Sequence, residues 1–95
     1  MARYVVLYRF TEQGAKSIRE TVGRARQTRE ENEKRGFKVH ALLWTQGPYD
    51  LVAVVEAPSE EAMMGGMVNI VSAGNVTSTT MRAFDEKEME KVLKA

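Results

Sequence analysis

The 95-residue chain has no cysteine, two prolines, one tryptophan and one histidine. Each scarcity excludes something. Without cysteine there is no disulfide, no thiol nucleophile and no cysteine-ligated zinc or iron–sulfur site. A single histidine with no clustered acids leaves too few ligands for a metal centre, and no cofactor is expected. The motifs of common catalytic and nucleotide-binding sites are also missing: no nucleophile elbow, Gly-rich phosphate loop, His-Glu-x-x-His or Rossmann fingerprint. No apolar run approaches the roughly 20 residues that cross a bilayer. The start, Met1 to Phe10, turns charged too quickly for a signal peptide, so a soluble, cytoplasmic protein without a membrane partner is expected. Fourteen basic residues stand against 13 acidic ones, for a net charge of +1. That balance carries no electrostatic footprint for nucleic acid.

What is present fits one small globular domain, residues 1–95, with 43% hydrophobic and 28% charged residues. A chain this short buries only roughly 60–65% of the surface it exposes when unfolded, so a partner subunit would help to stabilise it. Arg3 to Phe10 reads as a strand that is apolar on both faces, with Tyr4, Val6, Tyr8 and Phe10 on one and Val5 and Leu7 on the other. Such strands belong in sheets covered twice. Thr11 is an N-cap candidate with Glu12 behind it. A helical pattern with Ala15, Ile18, Val22 and Ala25 on one stripe then runs to Arg35, and Gly23 predicts a kink or break near Val22-Gly23. Gly36 ends the helix.

Lys38 to Thr45 reads as a second strand, with Val39, Ala41 and Leu43 opposed to His40, Leu42 and Trp44. Tyr49 to Ala57 reads as a third. The short turn between them predicts an antiparallel hairpin. Ser59 caps a helix over Glu60 to Ala73 with Ala62, Met63, Met67, Ile70 and Val71 at helical spacing, and Met63, Met64 and Met67 read as adaptable core packing. Gly65-Gly66 in its middle permits close backbone approach. Val76 to Phe84 is a Ser/Thr-rich strand suited to an edge. Asp85 and Glu88 stand in capping-box relation at the start of a short last helix bearing Met89, Val92 and Leu93.

This order is the α+β, ferredoxin-like βαββαβ pattern. Right-handed crossovers place the strands in the order 4-1-3-2 with two helices on one face. The other face is left open although its side chains are apolar, and such a face marks an interface. A second copy covering it in a two-fold dimer, a dimeric α+β barrel, is the expected assembly.

The sharpest turn signal is Trp44-Thr45-Gln46-Gly47-Pro48-Tyr49-Asp50-Leu51, in which Gly47 and Pro48 form the turn. Together with Phe10-Thr11-Glu12-Gln13-Gly14, Gly74-Asn75-Val76 and Arg82-Ala83-Phe84, it resembles the GYD domain family of small, chiefly prokaryotic proteins. Gly47, Tyr49 and Asp50 carry the motif. The resemblance implies a ferredoxin-like fold and assembly as a dimer or larger oligomer, and it implies no reaction. A weaker similarity, through the Gly-x-Tyr-Asp-Leu lead-in to the third strand and Gly74-x-Val76, is to the effector-binding domains of Lrp/AsnC regulators, where the domain oligomerises and binds amino acids.

Tyr49, Asp50, Trp44 and His40 are the ligand or interface candidates. Each has a plainer reading: Tyr49 packing a barrel end, Asp50 accepting backbone N–H groups, Trp44 as core or interface anchor, His40 as an ordinary strand residue. The leading functional expectation is a non-catalytic homo-oligomer that binds a small molecule or a partner. A cofactor-free monooxygenase or isomerase of the dimeric barrel type, and a free-standing amino-acid effector domain, are the alternatives.

Overall fold

The computed structural model describes residues 1–95. The chain forms strand β1 (Ala2–Phe10), helix α1 (Glu12–Lys16), a 3₁₀ turn (Ile18–Glu20), helix α2 (Thr21–Lys34), strands β2 (Lys38–Trp44) and β3 (Leu51–Ala57), helix α3 (Glu60–Ser72), strand β4 (Val76–Ala83) and helix α4 (Glu86–Lys94). All strand pairs are antiparallel, in the order β2-β3-β1-β4. This is the expected ferredoxin-like order read from the other edge.

The two central strands decide where the core lies. Along β3, Leu51, Ala53, Val55 and Ala57 are buried and alternate with half-buried Val52, Val54 and Glu56. Along β1, Tyr4, Val6 and Tyr8 are buried and alternate with Arg3, Val5 and Leu7. The register places Val6 beside Ala53 and Tyr4 beside Val55, so the buried sets share one face. Met63 of α3 and Phe37 complete that core. Each large side chain taken fully from water contributes about 1.5–3 kcal/mol. Gly66 of α3 is buried against Phe37, where an added Cβ would make an ordinary contact 3.6 Å from the ring. Met67 packs at the margin of this core and accepts the Thr80 hydroxyl at 3.2 Å. Met64 and Val71, expected to face the core, are 65% and 45% exposed, because only one narrow stripe of α3 meets the sheet.

The first crossover departs from the sequence expectation. The helix does not kink at Gly23, where α2 runs through unbroken; it breaks at Ser17. Thr11 caps α1 by accepting the Gly14 N–H, and its own hydroxyl donates to the Gly74 carbonyl at 2.5 Å. Gly14 lies so close to the 74–75 backbone that a Cβ would overlap the Asn75 carbonyl oxygen. This contact sets the direction of α1, and Ser17, which donates to the Gln13 carbonyl and accepts from Arg24, lets the chain turn before α2. Serine competes well for backbone groups and so tolerates such a break. The stripe expected from Ile18 and Val22 is consequently half exposed, at 47% and 48%, and α2 buries no residue.

Candidate functional site

A bulge at His40 in β2 decides which candidates share a face. The register slips between Val39 and Ala41. Strict alternation puts His40 with Leu42 and Trp44, but a bulge adds one residue and exchanges the faces beyond it. Val39, Leu42 and Trp44 therefore belong to the helix side. His40 lies on the other face with Lys38, Ala41 and Leu43, where its Nε2 lies 2.5 Å from the Glu56 carboxylate. That hydrogen bond, together with the charges of His40, Arg3 and Lys38, holds the Glu56 carboxyl below its ordinary value, although partial burial opposes the shift.

Trp44 reaches α2: its indole N–H donates to Thr21 Oγ1 at 3.1 Å. It ties the start of that helix to the sheet. Tyr49 and Asp50, adjacent in sequence, do different work. The Asp50 carboxylate accepts the Phe10 N–H at 2.8 Å, its own N–H donates to the Tyr8 carbonyl at 2.8 Å, and its carbonyl accepts the Thr45 N–H at 2.9 Å. The first two bonds tie the hairpin turn to the end of β1, and the third closes the turn itself. The Thr45 hydroxyl adds a bond to the Tyr49 carbonyl at 2.6 Å, and Gly47 at φ +118 permits the turn beside Pro48. The Tyr49 ring instead lies under the Arg9 guanidinium, 4.8 Å from its centroid. The two share a shallow depression on the open face with Leu7, Thr77, Ser78 and Thr79.

The four candidates thus do not form one constellation. Asp50 is a backbone clamp, Trp44 lies on the helix side, and Tyr49 and His40 occupy the open face at different positions.

Two larger features remain. The first is the open face. Val5 and Leu7 stand beside Val54 and Val52, flanked by Ala41 and Leu43 on β2 and Met81 on β4. No helix covers them; Leu43 is 59% and Met81 43% exposed. Arg3, on the same face, bonds Glu88 at 2.9 Å and pairs with Asp85 at 3.3 Å, and so anchors the first turn of α4. The Glu88 backbone N–H, then Arg3, draws the Asp85 carboxyl below its ordinary range. The expected Asp85–Glu88 capping box is present, yet the apolar stripe of α4 finds no cover: Met89 is 43%, Val92 47% and Leu93 77% exposed.

The second feature lies on the opposite side, a cleft of about 370 Å³ bounded by α2, α3 and the sheet. Its floor is apolar, including Leu42, Leu51 and Val55 of the sheet; α3 contributes Ile70, and the α2 side carries arginines. The sequence pattern does not show it, because a stripe of small residues along a helix predicts packing rather than a gap. The signal was there in the short Thr21, Ala25, Thr28 and Asn32 at helical spacing, which line the cleft without filling it. Arg9 was missed as well, since a single charged residue at the end of an apolar strand reads as a solvated terminus.

Comparison with known proteins places these features in context. The family model described as GYD domain matches residues 4–93. A Thermus thermophilus protein described as a glutamine synthetase and cystathionine beta-lyase binding protein is 32% identical over 85 residues, 88% of this chain and 90% of its own length. Among solved structures, the crystal structure of MtbAldR (Rv2779c) superposes with a TM-score of 0.68 at 16% identity over 90% of this chain. The matched part is 54% of that protein's chain, and the likeness is one of fold alone.

Proposed function

The chain belongs to the GYD domain family, and from that premise we propose that it is a self-associating binding protein that docks on other proteins and catalyses nothing itself. The observation that carries the proposal is the open sheet face: Val5, Leu7, Val52, Val54, Leu43 and Met81 form an apolar surface with no roof. A contiguous patch of this kind on a small soluble domain is an interface, and a two-fold arrangement of two copies sheet to sheet buries it on both at once. The uncovered stripe of α4, whose first turn is held at the rim of that face by Arg3, gains cover in the same step.

The protein partner belongs on a surface that self-association leaves free. The outer side of α3 offers one, with Met64, Val68 and Val71 at 65%, 54% and 45% exposure one helical turn apart. The relative's name supplies the class of partner, a metabolic enzyme such as glutamine synthetase or cystathionine β-lyase. Both enzymes, immobilised separately, test this. We expect wild-type protein to bind at least one at micromolar concentration, and Val68→Glu to lose that binding while keeping its oligomeric mass. Wild-type protein that binds neither enzyme, or Val68→Glu that binds as wild type, contradicts the assignment.

A further inference from the structure

We propose that the cleft beneath α2 binds a small monocarboxylate with an apolar body, independently of the open face and of any protein partner. Four observations carry this. The cleft, at about 370 Å³, falls at the lower end of the range for small-molecule sites. Its floor is the apolar side of the sheet, which a hydrocarbon or aryl body would cover with favourable burial.

Tyr8 lines the cleft and is only 8% exposed. Burial alone pushes its hydroxyl up to about 12, so it stays protonated and can donate. No group of the chain bonds that hydroxyl, yet it is not sealed from solvent. A buried tyrosine hydroxyl normally has a partner; here the space for one is the cleft.

The charge on the wall points the same way. Arg24, Arg29 and Arg35 line it against Glu31 alone, which already accepts from Gln27 at 3.4 Å. Arg29 and Arg35 make no ion pair, and Arg24 is committed through one nitrogen only, to Ser17 and Glu20. The register brings the donors to one end. Tyr8 pairs with Leu51, Leu51 with Trp44, and the Trp44 indole bonds Thr21, three residues before Arg24. Tyr8 and Arg24 therefore stand toward the same end of the cleft, and a carboxylate bound there would accept from both. An α-amino acid fits less well, because its ammonium group has no free acid to meet.

Calorimetric titration of the full chain at neutral pH and low salt tests the proposal with octanoate and phenylpropionate as probes, octanol and phenylpropanol as their uncharged counterparts, and phenylalanine as the amino-acid counterpart. We expect at least one acid to bind roughly tenfold or more tightly than its alcohol, the usual worth of a hydrogen bond to a charged group, and phenylpropionate to bind more tightly than phenylalanine. Arg24→Gln should abolish the preference for acid over alcohol. Tyr8→Phe should weaken the acid by a similar factor without lowering the unfolding midpoint, since the hydroxyl gives up no bond within the chain. Ala25→Trp, which fills the cleft from α2, should remove binding of both probes while leaving the oligomeric mass unchanged. Neither acid binding at millimolar concentration, equal affinity for acid and alcohol, tighter binding of phenylalanine, or undiminished binding by Ala25→Trp would each overturn the assignment.

Discussion

The two faces of the one sheet have similar centres and opposite surroundings. On the helix side, Tyr4, Val6, Ala53 and Val55 lie beneath α3 and Phe37 and are buried. On the other side, Val5, Leu7, Val52 and Val54 come from the same strands, one residue over, and are only half-buried. A solvated sheet face in an antiparallel protein is ordinarily polar. Here polarity is confined to the rim, with Arg3, Lys38, His40, Glu56, Arg9 and Thr77. An apolar centre inside a polar rim is the anatomy of an interface. The difference between the faces therefore separates the residues that make the fold from those that the proposed assembly would cover.

The comparison can be broken at several points, and the largest effect belongs to the roofed face. Val6 is fully buried, and Val6→Asp places an unpaired charge there at a penalty of several kcal/mol. Against a domain stability of about 5–15 kcal/mol, circular dichroism should show a largely unfolded chain. The same change one strand over and on the other face, Val54→Asp, should keep native circular dichroism and lower the mass to that of a monomer. If Val54→Asp unfolds the chain as Val6→Asp does, the distinction between folding face and assembly face fails.

Next in size is the contrast between neighbours at the turn. Asp50→Ala removes the acceptor of the Phe10 N–H and should lower stability by about 1–3 kcal/mol, read from the urea midpoint. Tyr49→Ala, which frees Arg9 on the open face, should leave the midpoint of the monomeric Val54→Asp background within about 0.5 kcal/mol. Equal losses from the two substitutions would put Tyr49 in the folding machinery after all.

The smallest effect is that of pH. Glu56 and Asp85, both bound to open-face residues, are held below their ordinary values of 4.5 and 3.8. A depressed carboxylate contributes stability above its unfolded value and loses it as pH falls through its folded one. Acid titration at constant salt should therefore show stability declining once pH drops below 4.5. Glu56→Gln and Asp85→Asn should flatten that decline. A double variant with the wild-type acid slope would show that neither pairing persists in solution.

Much of this was legible in the sequence because it rests on period-two alternation and strong punctuation. The strands, the capping residues Thr11, Ser59 and Asp85, and the glycines at 36 and 47 carry local signals that tertiary structure did not override. The family could be recognised from Gly47, Tyr49 and Asp50 for the same reason. What was not legible depends on contacts distant in sequence. Nothing local in Lys38 to Trp44 announces a bulge, so the face assigned to His40 relative to Trp44 could not be read. The break at Ser17 follows from the approach of Gly14 to Asn75, and the cleft follows from how far α2 then stands from the sheet. The division of labour between Tyr49 and Asp50 was invisible for a related reason: the acceptor role of Asp50 needs β1, forty residues earlier.

Sedimentation equilibrium of the wild type and of Val54→Asp at micromolar concentration tests the central claim most directly. The account predicts a wild-type mass of at least two copies of the 10.7 kDa chain and a folded single-copy mass for the variant. A wild-type protein that sediments as a stable monomer across that range would contradict it.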